Sequence, residues 1–83
     1  MKHLSAAAFT SRLQEVAADS GLHHRDIVNG RRQRGAIGAA RHDLMWRLKQ
    51  DGYSLPEIGR VIGLDHTSVL NAVRVHEKRR AAQ

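Results

Sequence analysis

Apolar side chains recur along this chain at intervals of three and four residues, the spacing of a helical stripe rather than the alternation of a strand. In the first stretch Phe9, Leu13, Val16 and Ala17 fall at i, i+4, i+7 and i+8, and Ser20-Gly21 supplies a stop. A helix is predicted over about residues 5 to 19. Ile27 and Val28 predict a short second helix of at most two turns, with both side chains turned to the core and Asn29-Gly30 suited to a left-handed end. Ile37, Ala40, Leu44 and Leu48 form one stripe of a third helix, from about residue 37 to Asp51, with Gly52 just beyond it. Trp46 sits beside that stripe and is read as a partly buried core residue rather than a platform for stacking a base.

Ser54-Leu55-Pro56-Glu57 opens a fourth helix. Ser54 can cap it, Glu57 completes a capping box, and Pro56 lies in the first turn, where no intrahelical donor is needed. Ile58, Val61 and Ile62 are expected to face inward until Gly63 ends the helix; Leu64 then fills a tight turn and Asp65 caps a fifth helix. That helix is expected to bury Val69, Ala72, Val73 and part of His76, and to turn Thr67, Ser68, Asn71, Arg74 and Lys78 outward. Two helices joined by three or four residues around a glycine form a helix-turn-helix. The predicted fold is all-α: one domain over residues 1–83, a small bundle of about five helices with the helix-turn-helix at about residues 54 to 81.

Length and composition narrow this picture. Eighty-three residues allow one core, and the absence of cysteine removes disulfides, thiolate metal sites and cysteine nucleophiles, which fits a reducing, cytoplasmic setting. No apolar run approaches the roughly 20 residues of a membrane span, so no membrane partner is expected. Fourteen Lys and Arg against eight Asp and Glu give a formal charge of +6, and eleven of the fourteen are arginine, whose planar fork suits phosphates and guanine edges. A polyanionic partner is implied.

In a helix-turn-helix the second helix is the reader, and its first turns meet base edges in the major groove. Here those residues are Asp65, His66, Thr67 and Ser68, with Asn71 and Arg74 further along. An aspartate can accept from cytosine N4, a histidine can bond purine N7 or O6, and threonine offers both a hydroxyl and a methyl that packs on thymine. Asp65 is also a natural helix cap, so capping and base contact compete for one carboxylate. Arg31, Arg32 and Arg34 lie in the glycine-bracketed segment Gly30-Arg31-Arg32-Gln33-Arg34-Gly35, able to follow a phosphate ridge or enter a minor groove. Arg41, Arg47, Lys49, Arg60 and Arg74 are further phosphate candidates, and Lys78, Arg79 and Arg80 form a basic tail. No Gly-x-Ser-x-Gly elbow, His-Glu-x-x-His pair or glycine-rich phosphate cradle occurs, so neither catalysis nor a cofactor is expected. The six histidines are scattered or adjacent and do not predict a metal site.

Ser54-Leu55-Pro56-Glu57-Ile58-Gly59-Arg60, then Gly63, then Asp65-His66-Thr67-Ser68-Val69-Leu70-Asn71-Ala72, resembles the carboxy-terminal DNA-binding domain of the bacterial replication initiator family DnaA. The resemblance covers roughly residues 8 to 80. It implies a helix-turn-helix related to that of the Trp repressor, reading the DnaA box in double-stranded DNA. By position Asp65, His66, Thr67 and Ser68 take the base-reading roles, Arg32 is the best match for the arginine that enters the minor groove, with Arg31 and Arg34 beside it, and Lys49 and Pro56 match residues that lie against the backbone. Two departures stand out: the turn Gly63-Leu64-Asp65 is one residue shorter than the family's glycine-glycine-arginine lead-in, and Ser68 replaces a threonine. No Gly-x-x-x-x-Gly-Lys-Ser/Thr loop is present, so the initiator's ATPase is not expected here. The expected protein is a stand-alone DnaA-like DNA binder controlling replication initiation or transcription. The alternative is an adaptor that contacts the initiator or other replication proteins.

Overall fold

The computed structural model of the chain describes residues 2–29 and 35–83, and among them no strand occurs. Five helices follow one another: α1 (Ala6–Ser20), α2 (His24–Asn29), α3 (Gly35–Gln50), α4 (Leu55–Ile62) and α5 (His66–Ala82). The ends obey local chemistry. Ser5 caps α1 by accepting from Ala8 N–H, and Gly21 closes it in the left-handed conformation at φ 73°. The arginine segment predicted as a loop, Gly30 to Arg34, lies outside the described residues.

Helix α3 is the central element, packed by α1, α2, α4 and α5. It starts two residues earlier than its apolar stripe predicts and buries Ala40, Leu44, Met45 and Leu48 against Leu13, Val16, Ile27, Ile58 and Val69. Complete burial of a leucine such as Leu48 stabilises by about 1.5 to 3 kcal/mol. Trp46 is partly buried against this core, as predicted.

Two expectations are corrected. Val28 and Val61, both placed inward by pattern, are each 39% exposed. In α2 the neighbouring Ile27 takes the single inward position; in α4 the pair Ile58 and Ile62, four residues apart, faces the core and leaves Val61 on a flank no helix covers.

The predicted capping box at Ser54 forms by half. Ser54 Oγ accepts from Glu57 N–H at 3.3 Å, but the Glu57 carboxylate accepts instead from Leu4 N–H at 3.4 Å. Residues before α1 thus strap the start of α4: Leu4 is buried in the core and Lys2 Nζ donates to Asp51 O at 2.7 Å. The pattern held a signal for this, a Leu4–Phe9 pair spaced as a hydrophobic staple about the Ser5 cap.

Candidate nucleic-acid interface

The turn between α4 and α5 is set by two glycines. Gly63 ends α4 at φ 88°, a conformation other residues rarely adopt, and both its own N–H and that of Leu64 donate to Gly59 O, at 2.7 and 2.8 Å. Gly59 is buried inside α4, and a Cβ there would run into the Leu64 carbonyl oxygen. Gly59 therefore lets the turn fold back onto α4, which brings Leu64 against the core and leaves three residues, 63–65, between α4 and α5.

Asp65 caps α5, its Oδ1 accepting from Ser68 N–H at 2.7 Å. That hydrogen bond holds the Asp65 carboxyl below the usual carboxylate range and keeps it anionic. The Ser68 hydroxyl and the Thr67 N–H add to the stabilisation of this carboxylate. His66, Thr67, Ser68, Asn71 and Arg74 are all exposed, while Val69, Ala72 and Val73 are buried, as the periodicity predicts. Thr67, Asn71, Arg74 and Lys78 fall at i, i+4, i+7 and i+11, so one face runs from uncharged hydroxyl and amide groups to cations. Glu77 is also exposed near its basic end. The basic tail is helical through Ala82.

The remaining site residues do not all join this face. Lys49, in the last turn of α3, and Pro56, in the first turn of α4, are exposed on either side of the α3–α4 turn. Along the chain α4 and the glycine turn lie between them and the start of α5. Arg60 is exposed and pairs with Glu57 at 3.3 Å. Arg31, Arg32 and Arg34 lie outside the described residues.

Two phosphate candidates are committed elsewhere. Arg41 is 6% exposed and its Nη1 donates to Ile27 O at 2.6 Å and Val28 O at 3.1 Å, closing the end of α2; burial lowers its pKa. Arg47 grips Asp43 through Nε and Nη2 and reaches Asp19 on α1 at 2.7 Å. Arg12 likewise holds Asp51, its Nε donating to Oδ2 at 2.7 Å, which depresses the Asp51 pKa. These arginines pin α1, α2 and the α3–α4 turn together. Spacing signals only the Asp43–Arg47 pair, four residues apart on α3; Asp19, Asp51 and the Ile27 and Val28 carbonyls are distant in the chain from the arginines they meet.

Among the described residues no group of three or more His, Asp or Glu side chains is arranged to hold a metal, and no helix is long and apolar enough to cross a membrane.

Two helices joined by a three-residue glycine turn, the second capped and turning a polar face outward, define a helix-turn-helix domain of the DNA-binding class. More narrowly, the chain belongs to the bacterial DnaA helix-turn-helix family, whose profile matches residues 13–75. The chromosomal replication initiator protein DnaA of Caulobacter vibrioides (strain NA1000 / CB15N) is 43% identical over 72 residues, covering 83% of this chain and 14% of that protein. The protein of the same name from Caulobacter sp. (strain K31) is 48% identical over 63 residues, covering 74% of this chain and 13% of its own length. The chain thus spans about a seventh of the length of these relatives. No solved structure matches it.

Proposed function

We propose that this chain binds double-stranded DNA sequence-specifically, at DnaA-box-like sites, and acts in the control of replication initiation or of transcription near such sites. The observation that carries the reading is the first two turns of α5, where Asp65, His66, Thr67, Ser68 and Asn71 stand exposed together on a capped helix with Arg74 next along the same side.

In this reading α5 enters the major groove. Asp65 accepts from cytosine N4, His66 bonds a purine N7 or O6, and Thr67 and Ser68 offer hydroxyls, Thr67 adding a methyl for thymine. Asn71 is suited to adenine N6 and N7, and Arg74 to phosphate. Lys49 and Pro56 lie against the backbone, and Arg31, Arg32 and Arg34 supply minor-groove and phosphate contacts. The shortened turn and Ser68 make a preferred site that departs from the standard box the natural expectation.

Selection of bound sequences from a random duplex library tests this directly. An enriched site related to the DnaA box supports the reading, and uniform, salt-sensitive binding without enrichment removes the specific part of it. Replacing Arg31, Arg32 and Arg34 together is expected to lower the salt slope of binding by up to about three units. Binding that is insensitive to salt would instead favour an adaptor contacting other replication proteins.

A further inference from the structure

We infer that His42 and His76 are positioning residues of the reading helix: as neutral imidazoles they latch the C-terminal half of α5 onto α3, and their protonation releases it and loosens the aim of its first turns. This inference rests on the reading of α5 as the helix that meets DNA.

Beyond Val73, α5 has no fully buried apolar anchor. What joins it to α3 there is a cluster of imidazoles, guanidinium groups and one indole. The Trp46 ring lies 5.3 Å from that of His76 and 4.2 Å from the Arg80 guanidinium carbon, which stacks over it, while Arg79 Nη1 stands 3.1 Å from His42 Nδ1. An arginine only donates, so Nδ1 of His42 must accept and its proton must sit on Nε2. Protonation removes that acceptor and sets two like charges against each other across the helix interface.

His76 has no such hydrogen bond. Its side chain is 14% exposed, and both ring nitrogens are buried without a hydrogen-bond partner among the described residues. The nearest carboxylate oxygen, Asp43 Oδ1 at 3.5 Å, already accepts from Arg47 Nε at 2.9 Å, and Arg47 also bonds Asp19 of α1. The other charged groups at this cluster, among the described residues, are Arg41 on α3, Arg79 and Arg80 on α5, and Arg12 on α1, which borders the same groove. Cations outnumber free anions there.

Burial pushes both imidazoles below their ordinary value, reinforced for His42 by Arg79, His76 and Arg41. For His76 burial is opposed by Asp43 and then reinforced by Arg80, Arg79 and Arg47. The latched state therefore takes up protons less readily than the released one. The latch is at full strength above about pH 7 and is lost as pH falls below about 6.5, the ordinary histidine value.

Two measurements test this. The first is the affinity for the selected site relative to a random duplex of equal length, at constant ionic strength. That ratio is expected to fall about fivefold between about pH 7.5 and about pH 5.5 in the natural chain, and to stay level in a His42→Gln/His76→Leu variant, where glutamine keeps an acceptor for Arg79 and leucine keeps the bulk beside Trp46. A level ratio in the natural chain overturns the inference. So does a fall that persists in the double variant.

The second measurement needs no DNA. Fluorescence of Trp46, the sole tryptophan, should titrate with a midpoint below about 6.5 in the natural chain and lose that titration in the double variant; no titration in the natural chain overturns the latch even if specific DNA binding fails. Should circular dichroism show the double variant unfolded, His42→Gln alone, at a half-buried position, is expected to keep about half of the fall, and an unaltered fall overturns the role of His42.

Discussion

Helices α3 and α5 are nearly equal in length, sixteen and seventeen residues, yet α3 buries six of its residues and α5 three. Helix α3 has neighbours on several sides, so its polar side chains are drawn into structural pairs: Arg41 onto α2, Arg47 onto α1. Helix α5 rests on α3 and α4 and buries Val69, Ala72 and Val73, so the face that bears Thr67, Asn71, Arg74 and Lys78 is left exposed. The same residue type therefore takes different work on the two helices. Arg41 and Arg47 on the central helix hold the bundle, whereas on the peripheral helix Arg79 and Arg80 fold back onto α3 and Arg74 stands exposed.

The comparison can be broken first at the core. Leu48→Ala in α3 is expected to cost about 2 to 5 kcal/mol of unfolding free energy, measured by denaturant titration, because its fully buried site is enclosed by several helices and cannot collapse. A cost under about 1 kcal/mol would deny α3 its central role.

The next effect falls on the junction that presents α5. Gly59→Ala drives a methyl into the Leu64 backbone and is expected to destabilise by about 1 to 3 kcal/mol, with loss of specific DNA binding even where circular dichroism shows the helices retained. A fully stable, fully binding variant would show that the turn has another way to close.

On the free face, His66→Ala or Thr67→Ala is expected to weaken binding to the preferred site by about 1 to 3 kcal/mol while leaving random duplex binding nearly untouched, since neither change alters net charge at neutral pH. Titrations of both duplexes read the difference, and an unchanged ratio would move base reading off this turn. Ser54→Ala removes the Oγ that accepts from Glu57 N–H and should cost about 1 kcal/mol of stability with no change in specificity. Smallest is Lys78→Ala, expected to lower the salt slope of binding by about one unit without touching stability; an unchanged slope would end the interface before the last turns of α5.

Much of the candidate site was legible because it is local. A cap followed by a helical period fixes which side chains of α5 share a face, and Asp65 to Ser68 could be assigned to its first turn from spacing alone. The stop at Gly63 and the inward set Val69, Ala72 and Val73 were legible for the same reason. Val28 and Val61 were misplaced because periodicity gives the angular position of a residue on its helix but not which flanks have neighbours. Glu57 shows the same limit: its position predicts a local capping box, and a chain segment more than fifty residues away claims its carboxylate instead.

The helices, their caps, the family and the composition of the exposed α5 face follow from the sequence alone, since each rests on interactions spanning a few residues or on a motif. Tertiary structure alone decided which cations are free. Arg41, Arg47 and Arg12 look like Arg74 in composition, but each finds a carbonyl or carboxylate far away in the chain, and burial makes leaving such a group unpaired costly. It likewise decided that Trp46, His76, Arg79, Arg80 and His42, spread over thirty-eight positions from His42 to Arg80 (80 − 42), meet at one crossing of two helices. Only close packing brings groups that far apart in the chain to within a few ångströms, and only there can the charge of one set the protonation of another.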